Sequence, residues 1–239
     1  MSKRKHKLEN EKLFSQIEQS SESTSDDFSE TNHNDILISD EALANSLELS
    51  GLLRKPARRE LPRMKKFRFQ LLHEWILANV DPCRVADIGG GKGLLSYLLQ
   101  QSGWPSTVID PVHQELPNKY KDLTQDRQVR IAESERVPRI DDVFAPEMAL
   151  NFDLLVAVHA HGCNLQLIDA ASQHNCAFVI LPCCVIGEPL LPPPGVHWIQ
   201  FVVDYAIKQG FAIEPFRLNF KGQNIGVYAQ KRGSQEKLL

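Results

Sequence analysis

The sequence predicts an α/β fold, a mostly parallel sheet covered by helices on both faces. Three observations carry this expectation. From Cys83 onward, short apolar runs alternate with segments whose apolar groups recur at helical spacing. The runs read as strands buried on both faces, which parallel sheets require. The first run ends in four glycines within five positions, Gly89–Gly93, at the sheet edge where such folds bind ligands.

The elements follow in order. Residues 1–33 are rich in Ser, Glu, Asp and Asn. They offer too few apolar groups to offset the entropy of ordering, so a disordered acidic and Ser-rich tail is expected. Its opening "KRKHK" reads as a solvated basic run. Residues 34–80 read as a helical extension. "DILISDEALANSLELSGLL" (35–53) has helical spacing, with Ser39 or Asp40 as cap. "RKPARRELPRMKKFRFQ" (54–70) is dense in Arg and Lys, with Glu60 its only acid. It leads into a helix over about 61–79.

Residues 81–239 form the expected domain. "CRVADI" is its first strand, followed by a helix through Gln101. "STVIDP" is the second strand, and a weakly helical stretch runs to about Lys121. "RQVRIAES" (127–134) is the third and "FDLLVAVHA" the fourth. The helix "NLQLIDAASQH" and the strand "CAFVILP" come next, then a loop with Pro189, Pro192, Pro193 and Pro194. After the helix "WIQFVVDYAIKQ", two strands, "FAIEPFRLNF" and "NIGVYAQK", pair around "KGQ". Trp198 and Phe201 are expected in the core.

Composition narrows the function. The net charge is −3, so no strong overall pull on nucleic acid or anionic membrane is expected. The five cysteines, Cys83, Cys163, Cys176, Cys183 and Cys184, are odd in number and lack a disulfide framework. With neither a secretory signal nor a membrane-length apolar run, an intracellular, cytoplasmic setting is expected, with no membrane partner. Oligomeric state is not legible.

The glycine turn excludes two nucleotide motifs. A phosphate loop needs Ser or Thr where Gly93 stands and Gly where Ala86 stands. The dinucleotide fingerprint needs glycine at Leu94, which disfavours a nicotinamide oxidoreductase. What remains is Asp-x-Gly-x-Gly-x-Gly, at Asp87, Gly89, Gly91 and Gly93. This resembles the first motif of class I S-adenosylmethionine-dependent methyltransferases. The resemblance runs from about residue 65 to 231. It includes Asp110 at the end of "TVIDP", "IAESERVP" with Glu133, and "FDLLVAVHA".

The resemblance implies a Rossmann-like methyltransferase fold with seven strands and S-adenosyl-L-methionine as cofactor. Asp87 would orient the ammonium tail, and Gly89–Gly93 would let the backbone pass against the ligand. Asp110 would hold the ribose hydroxyls, and Glu133 would sit near the adenine amino group. A finer similarity is to the branch that includes the tRNA acceptor-stem 2′-O-methyltransferases. It rests on "VHAHGCN" and "LPCC". These stretches make His159 and His161 candidates for base or substrate contact, and place Cys183 and Cys184 beside the pocket. The chain departs from that branch where Val185-Ile186 follows the second Cys, and where no zinc module precedes the domain.

No metal is expected, because adjacent cysteines at a strand end point in different directions. Arg58, Arg59, Lys65 and Lys66, within Arg54–Arg68, are candidate phosphate contacts for RNA, with Phe67 and Phe69 interleaved. The leading expectation is a methyltransferase acting on a tRNA-like RNA. Protein or small-molecule methylation is the alternative. A cofactor-binding module without turnover is another, since no N-P-P-Y type motif follows the fourth strand.

Overall fold

The computed structural model describes residues 49, 51–52 and 64–231. The expected tail, most of the helix over 35–53, and Arg58 and Arg59 lie outside the described residues. Gly51 and Leu52 are helical, and Leu49 is fully buried.

Among the described residues, seven strands form one sheet in the order β5-β2-β1-β6-β7-β9-β8. They are β1 (Val85–Ile88), β2 (Ser106–Ile109), β5 (Arg139–Ile140), β6 (Leu154–Val158), β7 (Ala177–Leu181), β8 (Phe211–Arg217) and β9 (Ile225–Lys231). Strands β5 to β7 in that order pair in parallel, and β9 turns antiparallel to both β7 and β8.

Two of the three buried clusters among the described residues follow from the pleat. Successive side chains alternate between the faces. Leu154, Val156 and Val158 of β6 therefore meet Leu72 and Ile76 of α1 (Arg68–Asn79) and Leu95 and Leu99 of α2 (Leu94–Gln101). Leu155 and Ala157 meet α3 (Asn164–His174) and α4 (Trp198–Lys208) on the opposite face, through Leu165, Ile168, Val202 and Val203. Trp75 of α1 stacks on Phe216 of β8 with ring centroids 3.9 Å apart. Trp198 is core, as expected, and stacks near Phe201.

The third strand departs from the expectation. Within "RQVRIAES", only Gln128–Arg130 (β4) is extended, and it pairs with Lys119–Lys121 (β3) in a separate two-stranded sheet. Residues up to Lys121 were expected to be weakly helical. Gln128 and Arg130 are exposed on either side of Val129, so this segment cannot fill an interior strand position. The sheet's edge is instead the two-residue β5, paired with Val108 and Ile109. Pro138 precedes it, and its carbonyl accepts from the Val108 N–H at 2.9 Å. An edge position tolerates such a proline. Gln70 ties α1 to the small sheet, donating to the Lys121 carbonyl at 2.7 Å and accepting from the Leu123 N–H at 2.6 Å.

Candidate functional site

The site is built where β1, β2 and β6 end side by side. Gly89 follows β1 with φ +64°, and a Cβ there would lie 2.8 Å from the Ala160 Cβ. Glycine is what allows the two loops to meet. Gly93, at φ +76°, starts α2 against Val108, which a Cβ would approach to 3.0 Å.

Asp87 lies on the face of β1 covered by α2. Its Oδ2 accepts from the Ser96 hydroxyl at 3.1 Å, and Ser106 donates to Ser96 at 2.9 Å. Its Oδ1 is buried without a hydrogen-bond partner. Burial pushes the carboxyl up to about 6, with Ser96 acting against that rise. A Cβ on Gly90 would come within 2.6 Å of this carboxylate, so Asp87 underlies the glycine loop.

Asp110 is the hinge between β2 and that loop. One carboxylate oxygen accepts from the Gly91 N–H and the other from the Val112 N–H, both at 2.9 Å. Arg139 of β5 closes the arrangement by donating to the Gly91 carbonyl at 2.8 Å. Arg139 was missed in the sequence because its strand is only two residues long.

A cavity of about 380 Å3 opens there, lined among others by Gly89, Asp110, Pro111, Val143, Phe144, His159, His161 and Gln166. The structure thus brings Gly89, Asp110, His159 and His161 together. Asp87, Gly91 and Gly93 stand behind them. Glu133 does not join the group. It is exposed and lines a separate cavity of about 430 Å3 with Lys92, His113, Arg136 and Arg139. The displaced third strand is the cause. The segment that follows the true edge strand is Asp141-Asp142-Val143-Phe144, where the Asp142 carboxylate accepts from the Val143 N–H at 2.7 Å.

His159 follows β6 with φ +57°, a conformation that non-glycine residues rarely adopt. Its ring bonds the backbone of Gln223, and its Nε2 is buried without a partner. Burial pulls its pKa down to about 4, and nearby Lys65 and Arg68 push the same way. The imidazole is neutral at pH 7. Lys65 and Lys66 form a 3-10 turn ahead of α1 and are exposed.

The loops after β6 and β7 lean on one another. A Cβ on Gly162 would lie 2.9 Å from the Gly187 carbonyl oxygen. Glu188 reaches across to the start of α3, accepting from the Asn164 N–H and side-chain amide and the Leu165 N–H. Sequence reading missed Glu188, because a cap 24 residues downstream has no local signature. The cysteines are all free. Cys183 lines a cavity of about 170 Å3 with His197, Trp198 and Gln223. Burial first, and Cys184 second, push its thiol up to about 11. Cys184 Sγ lies 3.6 Å from Cys183 Sγ.

A glycine turn after β1, an acid after β2, and a seven-strand order with one antiparallel strand inserted next to the last edge decide the architecture. The chain has the class I methyltransferase fold. No known family model matches it. Curated relatives of this methyltransferase-fold chain cover part of it. A probable tRNA (uracil-O(2)-)-methyltransferase of Caenorhabditis elegans is 33% identical over 112 residues, which are 45% of this chain and 19% of that protein. A Homo sapiens protein of the same name is 30% identical over 100 residues, 41% of this chain and 12% of that one. The alignments thus span about one fifth or less of those relatives. Among solved structures, magnesium protoporphyrin IX methyltransferase from Synechocystis PCC 6803 with bound SAH overlays at TM-score 0.47 and 14% identity, covering 81% of this chain and 100% of that one. No helix among the described residues is long and apolar enough to cross a membrane.

Proposed function

We propose that this chain binds S-adenosylmethionine and transfers its methyl group to RNA, with a tRNA as the preferred acceptor. The observation that carries the reading is the cavity at the tips of β1, β2 and β6, with Asp110 at its wall and Gly89 at its floor. Asp110 keeps lone pairs beyond its two backbone bonds, enough to accept from the two ribose hydroxyls. Val112 and Val143 are 60% and 63% exposed at neighbouring strand tips. Such apolar groups suit the two faces of a purine ring, and Asp142 takes the adenine-side role first expected of Glu133. The glycine loop accommodates the amino-acid tail, and Asp87 acts on that tail by bracing Gly90.

Methyl transfer is an in-line displacement, so positioning supplies much of its rate. The acceptor oxygen attacks the methyl carbon while the carbon–sulfur bond breaks, leaving the electron pair on sulfur. His159 Nε2 is a buried acceptor facing that chemistry, and it orients the attacking hydroxyl. With a pKa of about 4, it holds a proton poorly, so its main role is alignment. Lys65, Lys66 and Arg68 supply phosphate contacts near His159. The tRNA reading draws on the printed names of the partial relatives. The test is transfer of tritiated methyl to fractionated RNA, protein and small-molecule pools. Label in the tRNA fraction is expected; label confined to protein or metabolites would move the acceptor class. Cofactor binding without label in any pool would favour a recruiting module.

A further inference from the structure

We propose that His161, Cys183 and Cys184 form a three-ligand site for a borderline-soft divalent cation, zinc, at the tips of β6 and β7. Among the described residues, one donor atom from each lies within 4.8 Å of the others. The spacing suits the metal. Tetrahedral zinc with Zn–S bonds of about 2.3 Å needs a sulfur–sulfur edge of about 3.8 Å. The two thiols already stand 3.6 Å apart.

The expectation that neighbouring cysteines diverge fails for a local reason. The pleat that alternates side chains belongs to β7, which ends at Leu181. Cys183 and Cys184 follow Pro182 in a loop, where no ladder imposes alternation. Both sulfurs can then address one point. The exposed imidazole of His161 already brings a ring nitrogen within 4.8 Å of both sulfurs.

The frame is prepared as well. The loop carrying His161 and the loop carrying both cysteines touch backbone to backbone at Gly162 and Gly187. Glu188 fastens the same two loops together through the start of α3. A ligand set held by bonded loops loses less freedom on closing around an ion. The donors also discriminate: two thiols and an imidazole, without a carboxylate, suit zinc and disfavour magnesium or calcium.

Three protein ligands leave the fourth position open, the arrangement of sites that bind an exchangeable water or substrate oxygen. His161 lines the 380 Å3 cavity and Cys183 the 170 Å3 one, so the ion would sit between them. Binding involves no redox step. Each thiol passes its proton to buffer as its sulfur–zinc bond forms, so two protons leave per ion.

The experiment uses the full chain, reduced with a non-thiol phosphine and stripped of metal, titrated with Co2+ and then Zn2+. One equivalent of Co2+ should produce thiolate charge-transfer absorption and tetrahedral visible bands, and Zn2+ should abolish them. Cys183→Ser, Cys184→Ser and His161→Ala should each weaken zinc binding about 100-fold or more, since losing even a ligand's hydrogen-bond partner costs about 10- to 100-fold, while Cys83→Ser leaves it unchanged. His161 is exposed, so His161→Ala tests the site even where a cysteine variant misfolds. A cobalt spectrum without thiolate bands, or wild-type zinc affinity in His161→Ala, overturns the proposal. The readout involves no methyl transfer, so its failure is distinct from failure of the proposed activity.

Discussion

The two halves of the sheet's ligand edge are built differently. At the tips of β1, β2 and β5, most side-chain polar groups are committed within the protein. Asp110 holds two N–H groups and Arg139 a carbonyl, and Asp87 runs through Ser96 to Ser106. At the tips of β6 and β7, His159 Nε2, Asn164 Oδ1 and Trp198 Nε1 are buried without partners. Ile186, Leu190 and Leu191 of the adjoining loop are 63%, 49% and 68% exposed. Buried polar atoms are usually satisfied; the first half leaves Asp87 Oδ1 without a partner, against three such atoms on the second, so the second half carries the larger chemical demand. The proposed function assigns the cofactor to the first half and the RNA acceptor to the second.

Breaking the first half should have the largest effect. Asp110→Ala should weaken S-adenosylmethionine binding roughly 100-fold, since each charged hydrogen bond contributes about 1.5–3 kcal/mol. Calorimetry reads this directly. Normal affinity in that variant would remove the ribose contact from the account.

The second half should affect turnover more than cofactor affinity. His159→Asn should lower the methyl-transfer rate up to about 100-fold through lost alignment, with the cofactor Kd unchanged. The folded pKa of His159 is about 4 against 6.5 for the free side chain. As pH falls, the unfolded chain takes up the proton first. The stability contributed by this histidine is therefore full above about pH 6.5 and is lost as pH falls through 4. A rate profile with an inflection near pH 6.5 that vanishes in His159→Asn would contradict this.

Gly162→Ala tests whether the β6 and β7 loops act as one frame. At φ +71° and 2.9 Å from a backbone oxygen, the added methyl should cost about 1–3 kcal/mol in urea unfolding. A neutral result would mean that the two loops move apart freely. Reversing Lys65 and Lys66 to Glu is a gentler change. It should flatten the logarithmic salt dependence of RNA binding by about 0.7 per lost single-strand phosphate contact, as read by filter binding.

The smallest effect is expected at Asp87, which sits behind the site. Its folded pKa of about 6 lies above the ordinary 3.8, so its stabilising contribution is present below 3.8 and lost as pH rises through 6. Asp87→Asn should then narrow the stability difference between pH 5 and pH 8. Its cofactor affinity should fall less than tenfold. A loss as large as that of Asp110→Ala would place Asp87 directly on the ligand.

What was legible in the sequence follows the same division. Asp87, the glycine turn and Asp110 were readable because close backbone approach and a strand-end acid leave local signatures. The strands β6 and β7 and the last hairpin stood out through apolar runs. The edge strand was hidden, since two residues after a proline carry no periodicity, and Glu133 therefore lies on a different cavity from Asp110. Glu188 and the convergence of His161 with Cys183 and Cys184 depend on two loops meeting across the sheet. Residues 22 or more apart give no pattern for that.

The central claim is that the nucleoside occupies the cavity of Gly89, Asp110 and Phe144 rather than the larger one beside Glu133. Hydrogen–deuterium exchange with and without S-adenosylhomocysteine tests it directly. The account predicts new protection at 89–93, 110–112 and 142–144. Protection confined to 113–118 and 131–137, or none at saturating ligand, would contradict it.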